Sequence, residues 1–348
     1  MIVKLIIGIL FIIVAALSII MKDRDDNASK IIFFSLGFVL ILIAGMQPEG
    51  ITKDYIEYLK GYTSITDFRS TRLEPTFVLI VKFVKATFNN PVFLFLIYAA
   101  IGVTLKFIAI KRLTSFYILS SLIYLSYFFI LHEMTQIRAG IASGFLLLAI
   151  KPLYNRNLLQ YLALVILASL FHYSAIILLP LWLLNSTKIN KTIYLSSIVL
   201  SYFLAITGFS VGFLLELIPI KAINLLYEMH KLEMEAGVGQ DINIFNSLQL
   251  FRVLLVFVLI YFIDLITEKN KYATLLLKIY IIGIVSFLLF SDIPVISFRI
   301  SQLLNIVEVI TIPFIAYLFK QRQFASIIPA TIGVYMLWMS LFYINLIS

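Results

Sequence analysis

The sequence contains no cysteine and only three histidines among its 348 residues. The lack of cysteine excludes disulfides, a thiolate nucleophile and cysteine-based metal sites. No two histidines stand at metal-ligand spacing, so no metal centre is expected. The chain also lacks a Walker motif, a dinucleotide-binding glycine pattern and a zincin motif. We therefore expect neither a cofactor nor a nucleic-acid partner.

Charge is scarce as well. Only 13% of the residues are charged, 62% are hydrophobic, and the mean hydropathy is +1.04. Soluble proteins carry about 25% charged and about 45–50% apolar residues. The composition predicts a polytopic membrane protein in which residues 1–348 form a single integral membrane domain. The first apolar run has no small-residue cleavage site, so we expect a retained span rather than a removed signal peptide.

The apolar runs predict an all-α protein with about 11–13 transmembrane or interfacial helices. Residues 76–88, with Lys82 and Lys85, indicate an amphipathic or interfacial helix. Residues 158–184 are too long for one span and too short for two, so we expect two short spans that meet near His172. The remaining candidate spans are 2–20, 31–46, 92–110, 116–131, 139–150, 193–209, 248–266, 273–291, 303–319 and 324–346.

The distribution of lysine and arginine predicts the orientation, because short cytoplasmic loops are enriched in both. The basic turns that we assign to the cytoplasm are 22–30, 106–112, 151–156, 188–191, 269–271 and 320–322. The opposite face then receives two longer polar loops, 47–75 and 210–247. It also receives four ionisable residues from distant parts of the chain: Arg138, His172, Asp292 and Arg299. We expect these side chains to converge.

Arg138 and Arg299 stand beside long apolar runs, where ionisable residues are costly and by default mark a functional site. An arginine fork binds a diphosphate in a bidentate manner, and it does so better than lysine. The alternative for Arg138 is snorkelling to the interface or pairing with Glu133. Arg252 could complete such a clamp or could snorkel at the end of its own span.

Three further residues are candidates for proton transfer. Glu74 precedes Pro75, so it should lie at a helix N-cap, where its carboxylate stays ionised; the alternative is a general base. His172 could be a base, a hydrogen-bond donor to a departing phosphate, or a core histidine. Asp54 is either a solvated loop acid or a base. Glu308, in mid-span, should hydrogen-bond within the bundle, although a proton-coupled transporter would also use such a residue.

Four short motifs, in this order and spacing, resemble those of the EpsG-type branch of bacterial O-antigen and exopolysaccharide polymerases, the Wzy-like proteins. The resemblance covers residues 50–185 and a late arginine, Arg299. The motifs are Asp54-Tyr55…Tyr58, Glu74-Pro75-Thr76-Phe77, Gln136-Ile137-Arg138-Ala139 and Leu170-Phe171-His172-Tyr173-Ser174-Ala175.

The resemblance implies a GT-C-like glycosyltransferase of the bacterial inner membrane, with an active site that faces the periplasm. It would move the growing glycan from undecaprenyl diphosphate to the non-reducing end of another lipid-linked repeat unit, without a nucleotide or a metal. Membrane lipids, a chain-length regulator and a flippase of the same pathway are the implied partners. An O-antigen ligase-like transferase and a lipid-linked oligosaccharide flippase remain the alternatives.

The same resemblance implies roles for the site residues. Arg138 and Arg299, with Arg252 or Arg72, would neutralise the departing diphosphate. Glu74, His172 or Asp54 would orient or deprotonate the acceptor hydroxyl. The remaining substrate-binding candidates are Gln136 and three tyrosines that could stack on sugar rings: Tyr55, Tyr58 and Tyr173.

Overall fold

A computed structural model describes residues 2–21, 27–65, 73–209, 232 and 242–347. Within these residues the chain is mostly helical and contains no β-strand. Seven helices are long and apolar enough to cross a membrane: Ile2–Ile20, Asn27–Gly45, Val92–Leu113, Tyr117–Thr135, Ile137–Tyr154, Pro294–Leu318 and Ala325–Tyr343. The protein is therefore an all-α polytopic membrane protein, as its composition predicts.

The helices are numbered in chain order, and stretches of 3₁₀ or π-helix are given by their ranges. The first eight are α1 (Ile2–Ile20), α2 (Asn27–Gly45), α3 (Tyr55–Ser64), α4 (Pro75–Thr87), α5 (Val92–Leu113), α6 (Tyr117–Thr135), α7 (Ile137–Tyr154) and α8 (Leu158–Phe171). A 3₁₀ helix, Tyr173–Leu183, follows α8. The others are α9 (Lys191–Ile206), α10 (Ser247–Tyr261), α11 (Ile263–Lys269), α12 (Ala273–Leu289), α13 (Pro294–Asn305, continuing after a turn to Leu318) and α14 (Arg322–Trp338, continuing as the π-helix Met339–Tyr343).

Helix α6 is the centre of the bundle, since every residue from Tyr117 to Thr135 is buried. Its second half is a π-helix, Tyr124–Thr135. The amide of Gln136 still donates to the carbonyl of Leu131, five residues back, at 2.7 Å. π-Helical turns are rare and occur frequently at functional sites. Here the π-helix ends where α7 begins, so it sets the direction in which the first turn of α7 projects.

Two of the predicted boundaries are wrong in ways that bear on function. Helix α13 begins at Pro294 rather than at residue 303, because Pro294 takes the first helical position, where its missing N–H costs nothing. Arg299 therefore lies inside the helix. Helix α5 continues to Leu113, so the predicted basic turn 106–112 is helical and Lys106 is buried in the bundle.

Other segments match the expected pattern more closely. The chain breaks at His172, between α8 and the 3₁₀ helix Tyr173–Leu183, where two short spans were expected to meet. The helix predicted at 76–88 is α4. The predicted span 248–266 is two helices, α10 and α11, that bend by 74°. Of the two long loops, 66–72 and most of 210–247 lie outside the described residues.

Two ion pairs are sealed inside the bundle, and we refer to them as the closed pairs. Lys106 Nζ lies 2.5 Å from Glu133 Oε1 and also donates to the carbonyl of Gly140 at 2.6 Å. Arg252 Nε lies 2.5 Å from Glu308 Oε1. Charges in an apolar interior persist only when they are paired in this way. The alternative pairing of Arg138 with Glu133 is wrong, because Glu133 pairs with Lys106 and Arg138 pairs with Glu74.

Candidate functional site

A cavity of about 130 Å³ lies where α3 and α7 begin and α8 ends, with α13 along one side. Almost all of its lining was predicted to be functional from the sequence. The lining residues are Asp54, Tyr58, Gln136, Arg138, Ala139, His172 and Arg299. Glu74, at the start of α4, joins this group through contacts with two of them. We refer to Asp54, Glu74, Arg138, His172 and Arg299 as the ion cluster.

Glu74 is the link between the two halves of the ion cluster. It occupies the N-cap position of α4, directly before Pro75, as the sequence predicts. Its carboxylate makes no capping hydrogen bond, however. One carboxylate oxygen instead accepts a hydrogen bond from the Arg138 guanidinium, and the other lies 3.2 Å from His172 Nδ1. The carboxylate therefore orients an arginine and an imidazole at once.

The electrostatics of the two carboxylates differ. Burial acts to raise the pKa of Glu74, but the hydrogen bond with His172 and the charge of Arg138 outweigh it, and the net pKa is lowered. For Asp54 burial prevails over the nearby Arg138 and Arg299, and its pKa is raised. The environment thus favours the ionised form of Glu74, whereas it disfavours the ionised form of Asp54.

Arg138 is held from several sides. Its guanidinium carbon lies 5.6 Å from the centre of the Tyr58 ring and 5.7 Å from that of Phe77, in cation–π contact with both. The Tyr58 hydroxyl, buried in this contact, has its pKa raised to about 12 and so stays protonated. Arg138 Nε is buried and has no hydrogen-bond partner among the described residues. This leaves hydrogen-bonding capacity on a rigidly positioned guanidinium.

Small residues bring α7 close to its neighbours, as the run after Arg138 predicts. A methyl group added at Gly140 would meet the carbonyl of His132, and one at Gly144 would meet the side chain of Leu105 at 2.8 Å. Ser143 Oγ also lies 3.0 Å from His132 Nδ1. The first turn of α7, which carries Arg138, is therefore fixed against α5 and α6.

Arg299 and Asp54 complete the ion cluster without pairing. Neither side chain forms a hydrogen bond or an ion pair with any residue in the part of the chain that the structure describes. Both nevertheless line the same cavity, with Arg299 contributed by α13 and Asp54 by the turn before α3. An unpaired cation and an unpaired acid facing one small cavity are groups that a charged, hydroxyl-bearing substrate could satisfy.

The structure does not bring every predicted residue to the cavity. Arg252 is paired with Glu308 away from the ion cluster, which corrects its expected place in an arginine clamp and accounts for the predicted hydrogen bonding of Glu308. Tyr55 is buried and stacks on Phe95 with ring centres 4.5 Å apart, so it cannot stack on a sugar.

Of the remaining predicted residues, Tyr173 and Asp292 are described by the structure and do not line the cavity. Tyr173 is 54% exposed, and its hydroxyl lies 3.5 Å from the carbonyl of Leu73. Arg72 lies outside the described residues.

Two residues of importance were missed by the sequence reasoning. Gln302 accepts a hydrogen bond from Gln136 at 3.0 Å and so connects α13 to the start of α7. Lys106 holds Glu133 and the carbonyl of Gly140. A lysine in an apolar run was a usable signal, but it was assigned to a basic turn.

Among the described residues no cluster of histidine, aspartate and glutamate could hold a metal ion.

Comparison with known proteins bears on this arrangement. The chain is 24% identical over 306 residues to the "Amylovoran biosynthesis protein AmsC" of Erwinia amylovora, which covers 81% of this chain and 79% of that protein. No solved structure gives a significant match. The model of the EpsG family matches residues 30–348, a range that includes the whole ion cluster and both closed pairs. This chain, whose motifs converge on one polar cavity in a helical membrane bundle, belongs to the EpsG family.

Proposed function

We propose that this protein is a polysaccharide polymerase, a glycosyltransferase that lengthens a glycan carried on undecaprenyl diphosphate. The observation that carries the proposal is the hydrogen-bonded chain from Arg138 through Glu74 to His172, which opens on the same cavity as the unpaired Arg299 and Asp54. Membership of the EpsG family and the similarity to a protein of amylovoran biosynthesis support a role in polysaccharide assembly.

The proposed reaction exchanges one glycosidic bond for another. The bond from the anomeric carbon of the growing chain to its diphosphate breaks, and the electron pair leaves with the diphosphate. A bond forms between that carbon and the non-reducing-end hydroxyl of a second lipid-linked repeat unit, and the hydroxyl proton passes to a base. The donor is already activated, so no nucleotide is needed.

We assign the departing diphosphate to the two arginines. Charge develops on its oxygens as the bond breaks, and prearranged cations in a partly dehydrated site stabilise that charge more strongly than water does. Arg138 is prearranged by Glu74, Tyr58 and Phe77. Arg299 forms no hydrogen bond or ion pair with the described residues and is therefore available to the substrate. A substrate diphosphate would supply the counter-charge.

We assign proton transfer to His172, with Glu74 as its positioning residue. A carboxylate that accepts from one ring nitrogen leaves the other as the proton acceptor, which is the arrangement found where a base is oriented by an acid. Glu74 itself is a poor base because its pKa is lowered. Asp54 is the rival base, since burial raises its pKa.

We place the reaction at the periplasmic face of a bacterial inner membrane. The ion cluster lies where α4 and α7 begin and α8 ends, hence at helix termini rather than at mid-span. The turns rich in lysine and arginine favour the cytoplasm for the other side. A GT-C-like fold, membrane lipids, and contacts with a chain-length regulator and a flippase belong to the same proposal.

The test is a reconstitution with purified protein in nanodiscs and no nucleotide. The probe is the lipid-diphosphate-linked repeat unit extracted from a strain that lacks this protein and so accumulates it. A ladder of increasing repeat number on a gel is the expected result. Transfer only to an added foreign acceptor would instead indicate a ligase, and movement of the unchanged lipid across proteoliposomes would indicate a flippase. Either of those results would contradict the proposal that the protein is a polymerase.

A further inference from the structure

A second and larger cavity is also lined by residues of α13. Its volume is about 320 Å³, within the range of roughly 300–1,000 Å³ that is typical of small-molecule sites, whereas the ion-cluster cavity is well below that range. It is bounded by the starts of α10 and α13, the π-helix of α6 and the C-terminal π-helix. We call it the amide cavity, because four side-chain amides line it: Asn243, Asn246, Gln249 and Gln302.

The two cavities are direct neighbours. Successive residues of α13 line different cavities, with Phe298 in the amide cavity and Arg299 in the ion-cluster cavity. The hydrogen bond between Gln136 and Gln302 joins the two linings, since Gln136 belongs to the smaller cavity and Gln302 to the larger. A ligand bound in the amide cavity would thus lie beside the groups proposed to act on the glycosidic bond.

The charge and chemistry of the amide cavity favour a neutral, hydroxyl-rich ligand. Its only charged lining residue among those described, Arg252, is already neutralised by Glu308. The amide oxygen of Gln249 is buried and has no hydrogen-bond partner, although its nitrogen donates to the carbonyl of Ile284 at 3.2 Å. A buried acceptor without a donor is costly, and a ligand hydroxyl would satisfy it. An acyl chain would not.

The lining also supplies aromatic surface. Tyr127, Phe298 and Tyr343 contribute rings, and the C–H faces of sugars pack on such rings while their hydroxyls reach amides. We propose that the amide cavity is a saccharide subsite, which binds sugar residues of a lipid-linked repeat next to the reacting bond. This inference rests on the proposed function for its biological context, but it predicts binding that can be measured without turnover.

The test uses the free oligosaccharide repeat, released from its lipid diphosphate by mild acid, and purified protein in nanodiscs. Ligand-observed NMR titration gives the dissociation constant. Gln249→Leu should weaken binding about fivefold, the effect of one neutral hydrogen bond. Tyr343→Ala should weaken it by a similar factor of about five. Because Tyr343 is 59% exposed, its removal leaves no internal void, so this second variant remains informative if Gln249→Leu fails to fold.

Matched controls repeat each change elsewhere. Gln160→Leu is exposed on α8, and Tyr261→Ala is 75% exposed at the far end of α10; both should bind as the wild type does. A loss of binding in Gln160→Leu equal to that in Gln249→Leu would show that the effect does not come from the amide cavity and would overturn the inference.

The polymerase proposal and the saccharide-subsite proposal can be refuted independently of each other. A polymer ladder from the wild type, together with unchanged oligosaccharide binding by Gln249→Leu and Tyr343→Ala, would refute the subsite and leave the polymerase standing. Binding that both variants weaken, without any ladder, would support a saccharide site and refute the polymerase.

Discussion

The ion cluster and the closed pairs contain the same kinds of side chain but differ in how completely their cations are paired and buried. In the closed pairs, Lys106 and Arg252 are at most 6% exposed, and each has a carboxylate at 2.5 Å. In the ion cluster, the Arg138 side chain is 25% exposed and shares Glu74 with His172, while Arg299 and Asp54 have no partner among the described residues. The buried pairs hold helices together, whereas a cation or an acid without a paired counter-ion is available to a substrate.

The distinction matters because rarity alone does not separate the two. A charge within an apolar segment is costly in either case and marks a functional candidate by default. Arg252 and Arg138 are equally conspicuous in the sequence. Only the structure shows that Glu308 neutralises one of them, whereas the other faces a cavity. Four substitutions break the comparison at different points, and they follow in order of decreasing expected effect.

Lys106→Met should have the largest effect, on stability rather than on chemistry. It leaves Glu133 buried without its cation, and breaking a buried pair costs about 3–5 kcal/mol. We expect a large fall in thermal midpoint and in yield. Lys106→Met combined with Glu133→Leu should regain much of this loss, because no uncompensated charge remains. A double variant as unstable as the single one would contradict the structural role of this pair.

Arg138→Ala should slow polymer formation by roughly 10²–10³-fold, the usual effect of losing one group that stabilises transition-state charge. The rate of Arg138→Lys should lie between those of the wild type and Arg138→Ala, because lysine keeps the charge but lacks the planar fork. The measurement is the initial rate of ladder formation by protein of verified monodispersity. A rate near that of the wild type for Arg138→Ala would remove Arg138 from the site.

Glu74→Gln should lower stability by about 1.5–3 kcal/mol, the worth of hydrogen bonds to a charged group. Since the folded-state pKa of Glu74 is lowered, its contribution is fully present above its ordinary pKa of 4.5 and is lost as pH falls through the folded-state value. The difference in thermal midpoint between wild type and Glu74→Gln should thus be constant from neutral pH to about 5 and shrink below about 4.5. A difference that does not depend on pH would contradict an ionised Glu74.

Asp54→Asn should have the smallest effect on stability, and it should be in the stabilising direction. Burial raises the pKa of Asp54, so the folded protein loses stability as pH rises through that value and the carboxyl ionises. A neutral amide avoids this cost, and we expect the thermal midpoint at pH 7 to rise by about 1–2 °C. Glu268→Gln, an exposed change on α11, should leave it unaltered. A fall in the midpoint for Asp54→Asn would show that the carboxylate is already compensated.

The sequence predicted the membrane class and most of the ion cluster. The reason is that few charges occur in this chain, so those within apolar runs stand out. Proline marked the start of α4 and the N-cap position of Glu74. The contacts of Glu74 could not be predicted from the sequence, because its partners Arg138 and His172 are distant in the chain. Pairings such as Lys106 with Glu133 and Arg252 with Glu308 depend on helix rotation and packing, which apolar runs do not specify.

The central claim is that the ion cluster forms the active site. Its most direct test is the rate of ladder formation by Arg299→Gln. Arg299 has no hydrogen bond or ion pair among the described residues, so its replacement breaks neither kind of bond within them. The account predicts a loss of polymerisation rate of about 10²-fold or more, with a thermal midpoint within about 2 °C of the wild type. Polymer made at the wild-type rate, or a fall in rate that only follows a fall in thermal midpoint, would contradict it.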